Sequence, residues 1–147
     1  MSTYNCAIRT NYFRVKDEEK FKTLMDRVYT GSDERVKVFT KVCEDDTKRF
    51  AFGCLHEIAG LKNAKDDIDP ESNESAYDEF VSGLQDCVAE GDAIVLYESG
   101  HEKLCCVTAY ATVITATESK FINLFDTADL AASALLGDPN WHTQRVY

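Results

Sequence analysis

The groups in this sequence that could do chemistry are three histidines, six cysteines and an unusual concentration of carboxylates. Cys54 and His56 stand two apart and offer two metal ligands, but no second pair at zinc-site spacing completes a set of four. Cys105 and Cys106 are adjacent, so on a strand they point to opposite faces. A thiol nucleophile needs a neighbouring histidine and a third group to orient it. His101 with Cys105, and His56 with Glu57, are proximities that any chain of this size produces. No GxSxG, phosphate-loop or dinucleotide fingerprint is present. No catalytic residue, metal or cofactor is therefore expected. The alternative reading is a small-molecule or enzymatic site at the mouth of segment 56–74, with Cys54, His56, Glu57 and Tyr97 as first candidates.

The carboxylates say more. The chain has 26 acidic and 16 basic residues, a net charge of −10, and the excess is local. From Asp66 to Glu102 run 37 residues with no lysine or arginine and twelve acids; the other 110 residues hold 14 acids and 16 bases. Asp66, Asp67, Asp69, Glu71 and Glu74 are rich in oxygen ligands, yet the run lacks the glycine and closing glutamate of a calcium loop, and Pro70 interrupts it. On a helix, Glu79, Asp86 and Glu90 fall within a stripe about 40° wide and about 16 Å long, flanked by Asp78. The apolar residues of that segment face elsewhere, so these carboxylates should project into water.

Crowding like charge costs self-repulsion, and a folding account predicts intermixed signs. A negative strip does, however, steer and hold a positive surface. The basic grooves of proteins that grip nucleic acid are such surfaces, and helix-borne carboxylates can stand there in place of phosphates. The candidate partner-binding residues are thus Asp66, Asp67, Asp69, Glu71, Glu74, Asp78, Glu79, Asp86 and Glu90. The expected partner is a protein with a basic surface, rather than nucleic acid or membrane. A solvated acidic face kept for solubility, and loose cation binding, are the competing readings of the same residues.

Several elements must position these groups. Tyr4 to Val15 alternates as a strand and shifts phase near Asn11, which predicts a bulge. Asp17 caps a helix whose apolar stripe is Phe21, Leu24, Met25 and Val28, ended by Gly31. Two alternating runs, Val36 to Val42 and Phe50 to Cys54, form a hairpin across Glu44–Thr47. Lys48 to Gly53 has the alternating aromatics of an RNA-recognition strand, but the glycine after the basic residue is missing and core packing explains both phenylalanines. Segment 56–74 shows no period and reads as one long loop. Ser75 begins a second helix with Tyr77, Phe80, Val81, Leu84 and Val88 on one face, closed by Gly91. Ala93–Tyr97 reads as a central strand buried on both faces, and Glu98–Glu102 as the turn after it.

Leu104–Thr115 and Phe121–Leu124 follow as strands, then a helix capped by Asp126 and stapled by Phe125 and Leu130, stopped by Gly137 and Pro139. The order β-α-β-β-loop-α-β-β-β-α predicts an α+β fold, a mostly antiparallel sheet of about six strands with three helices packed on it. Residues 1–147 read as a single acidic domain. No run approaches the ~18 apolar residues that cross a bilayer, and no signal-peptide pattern opens the chain, which predicts a cytoplasmic protein with free, structural cysteines.

Thr10 to Glu19 (Thr-Asn-Tyr-Phe-Arg-Val-Lys-Asp-Glu-Glu), continuing to Phe21, resembles a phrase found in small acidic accessory proteins of phages and bacterial conjugative elements. Ser75 to Phe80 and Glu102-Lys103-Leu104 are similar to later parts of the same proteins. Neighbours of such proteins include acidic anti-CRISPR and antirestriction proteins. The resemblance thus implies a non-enzymatic inhibitor of a host defence nuclease, acting in the bacterial cytoplasm. It implies no catalytic residue.

Overall fold

The computed structural model describes residues 5–30, 35–61, 76–102 and 106–143. Three helices accompany a six-stranded antiparallel sheet and a small two-stranded one, an α+β fold. β1 (Asn5–Thr10) buries Cys6, Ile8 and Thr10 and exposes the residues between them. At Asn11 the phase does shift. The Asn11 side chain continues the ladder in place of backbone: Oδ1 accepts from Val95 N at 2.8 Å, and Nδ2 donates to Ala93 O at 3.0 Å. The main chain thereby turns Phe13 into the core, where it pairs with Phe50 through two 2.8 Å hydrogen bonds.

Asp17 caps α1 (Glu18–Asp26), its Oδ1 accepting from Glu19 N and Lys20 N, and Phe21, Leu24 and Met25 are buried. The helix stops at Arg27, earlier than its apolar stripe suggests, and Val28 belongs to β2 (Val28–Thr30). Val, Tyr and Thr are strand formers, and here they find a partner in β5 (Ile58–Leu61). The segment 56–74 is therefore no continuous loop: its first part is paired strand. Residues 62–75 lie outside the described residues, as do Gly31 and the Ser75 cap.

β3 (Lys37–Val42) and β4 (Lys48–Cys54) form the expected hairpin, with Asp46 at φ 61° in its turn. α2 (Ala76–Cys87) buries Phe80 and Leu84 completely, and Gly83 lets it approach α1, since a Cβ there would lie 2.7 Å from Leu24 Cδ1. Gly91, at φ 80°, turns the chain into β6 (Ile94–Glu102). β6 is central in the order β3-β4-β1-β6-β7-β8, but only one of its faces is buried, and Tyr97 is 56% exposed. Glu98–Glu102, read as a turn, is the second half of this strand. Its polar residues pair along both neighbours, Ser99 with Ala7 and Ala109.

β7 (Cys106–Ile114) and β8 (Ser119–Asn123) complete the sheet. α3 (Leu124–Leu136) is capped by Asn123 rather than Asp126, because Asn123 ends β8 in extended geometry with Oδ1 on Phe125 N at 3.0 Å. Gly137 ends it in the left-handed conformation, as its position predicts. α3 meets β7 and β8 yet buries none of its residues; Leu135 is 90% exposed. The core lies between α1, α2 and one sheet face. There Phe13 meets Phe21 and Phe52 edge-on, with Phe80 tilted on Phe52 at 5.8 Å.

Candidate interaction surfaces

Among the described residues, the acids of the middle third do not all lie on one helical stripe. Asp66, Asp67, Asp69, Glu71 and Glu74 lie outside the described residues. Asp78 and Asp86 are exposed on α2 and Glu79 is half-buried there. Glu90 is exposed but stands beyond the end of α2, so the helical stripe reduces to Glu79 and Asp86. Asp86 lines a shallow groove of about 350 Å³ that Lys20 and Arg27 of the α1 side share. Asp92 is occupied internally: its Oδ2 accepts from Arg14 N at 2.7 Å and lies 3.6 Å from the Arg14 guanidinium.

Cys54, His56, Glu57 and Tyr97 do not converge. In the ladder, Ile8 sits between Cys54 and Glu98, whereas Arg9 sits between Gly53 and Tyr97. Alternation therefore places Cys54 on the core face and Tyr97 on the opposite one. The Cys54 thiol donates to His56 O at 2.9 Å, and burial above all, with Glu98 adding, raises its pKa. Cys6 is pushed up to about 11, by burial first and then by Glu98 and Glu57. These thiols stay protonated at neutral pH, the opposite of an activated nucleophile. Between α2 and the β6–β8 side lies a recess of about 330 Å³ reached by Glu57, Tyr77, Glu98, Tyr110 and Phe121. Burial raises the pKa of Tyr77, whose hydroxyl lies 3.5 Å from that of Thr112. It holds no nucleophile paired with a base. Among the described residues, no three His, Cys, Asp or Glu side chains gather as for a metal.

The sheet has a second face, which the sequence reading missed. Ladder register and alternation assign to it Ala7 and Arg9 of β1, and Lys37, Phe39 and Lys41 of β3. Arg49, Ala51 and Gly53 of β4, Tyr97 and His101 of β6, and Lys120 of β8 join them. No Asp or Glu occupies a position on this face in the six described strands. Glu98 and Glu102 both fall on the other side. Two bases on the helix side are paired: Lys48 and Lys22 reach Glu18 at 2.6 and 2.9 Å. On the open face, no described carboxylate pairs with Arg9, Lys37, Lys41 or Arg49. Rings take that place: the Arg9 guanidinium lies 4.1 Å from the Phe39 ring centre and 5.7 Å from Tyr12, and Lys41 Nζ lies 5.7 Å from Tyr12.

The signal was present in the sequence as Lys37-Val38-Phe39-Thr40-Lys41, whose odd members are basic or aromatic. It becomes a patch only once β1 and β4 bring Arg9 and Arg49 alongside. Searches of protein-family models, curated proteins and solved structures return no significant match to this chain.

Proposed function

We propose that the chain works by binding and not by catalysis. Its helical side, carrying Asp78, Asp86 and Glu90 and continuous in sequence with the acidic run 66–74, docks on a basic, nucleic-acid-handling surface of a host defence nuclease. In this reading it is a mobile-element-encoded inhibitor of anti-CRISPR or antirestriction type, acting in the cytoplasm of a bacterial host. The observation that carries it is the sidedness of the charge: the described acids of the middle third, Glu98 and Glu102 included, avoid the open sheet face. Segregation of this kind gives the domain a negative side with which to approach a cationic protein.

The test is inhibition of DNA cleavage by a panel of purified RNA-guided and restriction nucleases, with wild type and Asp86→Lys/Glu90→Lys side by side. The reading expects stoichiometric inhibition of at least one enzyme, weakened by added salt and lost in the double variant. Full activity of every nuclease at a large excess of the protein refutes it, as does inhibition that the double variant retains.

A further inference from the structure

We infer that the open sheet face is a binding surface for single-stranded nucleic acid, independent of the acidic side and its proposed partner. Arg9, Lys37, Lys41 and Arg49 crowd three adjacent strands, and Arg35 stands at their edge. With a rise of about 3.4 Å per residue, Lys37 and Lys41 stand roughly 13 Å apart along β3, with β4 and then β1 beside them. The resulting cationic field follows an extended backbone and is not focused on one point. A trough of about 600 Å³ runs through it, reached by Arg9, Arg35, Lys37, Phe39, Gly53 and Leu55.

Its floor is low for a physical reason. Ala7 and Gly53 line it, and Gly53 admits no side chain, because a Cβ there would meet the Ile8 carbonyl at 2.7 Å. Small residues below and aromatic residues beside, with Tyr12, Phe39 and Tyr97 on or next to the face, leave room for flat groups to stack.

Two features favour a polyanion carrying planar bases over an acidic protein segment. The cations are layered against rings, as in surfaces where phosphates track lysine and arginine while bases stack. In addition, no acceptor within the described chain engages Arg49 Nε, so this guanidinium is not tied down by an internal hydrogen bond at that atom. Asp45, in the β3–β4 turn, is near enough to Arg49 to feel it, but its carboxylate is engaged first by the Thr47 hydroxyl and N–H. Net charge does not forbid the interaction. The α2 carboxylates stand across a helix about 10 Å thick, and the Debye length at 0.1 M salt is about 10 Å.

The experiment is fluorescence anisotropy of the full chain with labelled oligothymidylate and oligouridylate of about twelve nucleotides, at about 50 and 200 mM salt. Expected is saturable, salt-weakened binding of at least one oligonucleotide. Arg9→Glu/Lys41→Glu should weaken it at least about tenfold, and Phe39→Ala about tenfold. Arg35→Glu/Lys37→Glu, at two exposed positions, serves where the first pair disturbs folding by circular dichroism. Asp86→Lys/Glu90→Lys should keep oligonucleotide binding, which separates this inference from the nuclease reading. Absence of saturable binding to both oligonucleotides overturns the inference. Unchanged affinity in the folded charge-reversal variants also overturns it, and so does tighter binding of a poly-glutamate peptide than of either oligonucleotide.

Discussion

Phe52→Ala and Phe39→Ala should have opposite consequences, and the contrast tests the assignment of the two sheet faces. The residues lie on neighbouring strands, with Phe52 fully buried against Phe13 and Phe80, and Phe39 beneath Arg9 on the open face. Truncating a fully buried phenylalanine removes its transfer free energy and leaves a cavity, about 3–5 kcal/mol together. For a chain of this length that is a fall of roughly 10–15 °C in Tm. Phe39 is half-buried, so its loss should cost only about 1 kcal/mol in stability, mostly its contact with Arg9. Urea unfolding followed by circular dichroism reads the stability, and anisotropy with oligothymidylate reads the binding. Phe52→Ala should bind normally where it remains folded, while Phe39→Ala should be nearly as stable as wild type and bind poorly. If Phe52→Ala lost less than about 1.5 kcal/mol and also lost oligonucleotide binding, the two faces would be interchanged and the argument built on them would fail.

Three further outcomes follow from local geometry. The unfolded chain releases the Cys6 proton near pH 9.0 and the folded chain only near 11, so across that window the unfolded state binds fewer protons and stability falls as pH rises. The loss tends toward about 2–3 kcal/mol, and urea titrations from pH 8 to 11 should show it shrinking in Cys6→Ala. Asp17→Ala should cost about 1 kcal/mol, because two N–H groups of α1 lose their acceptor; an unchanged urea midpoint counts against the cap. Leu135→Glu, at a site 90% exposed, should move stability by less than about 0.5 kcal/mol, and a larger loss in the same titration means that α3 is covered in solution.

What the sequence disclosed depended on how local the signal was. Asp17 and Gly137 act on residues within one helical turn and were legible. So was the hairpin between β3 and β4, whose alternation and polar turn are contiguous. β2 and β5 were not, since strands of three and four residues are too short to show a period and each pairs as a strand only with the other, some thirty positions away. Glu98–Glu102 misled because polar residues suggest a turn, whereas in the strand Ser99 and His101 take the wet face and Glu98 and Glu102 stay half-buried on the other. The acidic stripe failed at Glu90 because the chain leaves the helix at Cys87, letting Val88 bridge to Val15 and fill the core. The basic face was the least visible of all. Its members stand at positions 9, 37, 41 and 49, and only strand order makes them neighbours.

That dispersal also explains why a net charge of −10 was a poor guide to what the domain can hold. A bound phosphate responds most to the charges nearest it, and among the described residues those on the face around the trough are Arg9, Arg35, Lys37, Lys41 and Arg49. Dilution changes the balance. Near 0.01 M salt the Debye length reaches about 30 Å, longer than the path through the helix layer, and the carboxylates behind the sheet then repel the same ligand. Oligonucleotide affinity should therefore rise as salt falls toward about 50 mM, as counterion release requires, and then level off or decline as it approaches about 10 mM. A log–log plot that stays straight to that lowest salt would mean that the acidic side never reaches the ligand. The opposition of the two faces would then have no consequence for binding.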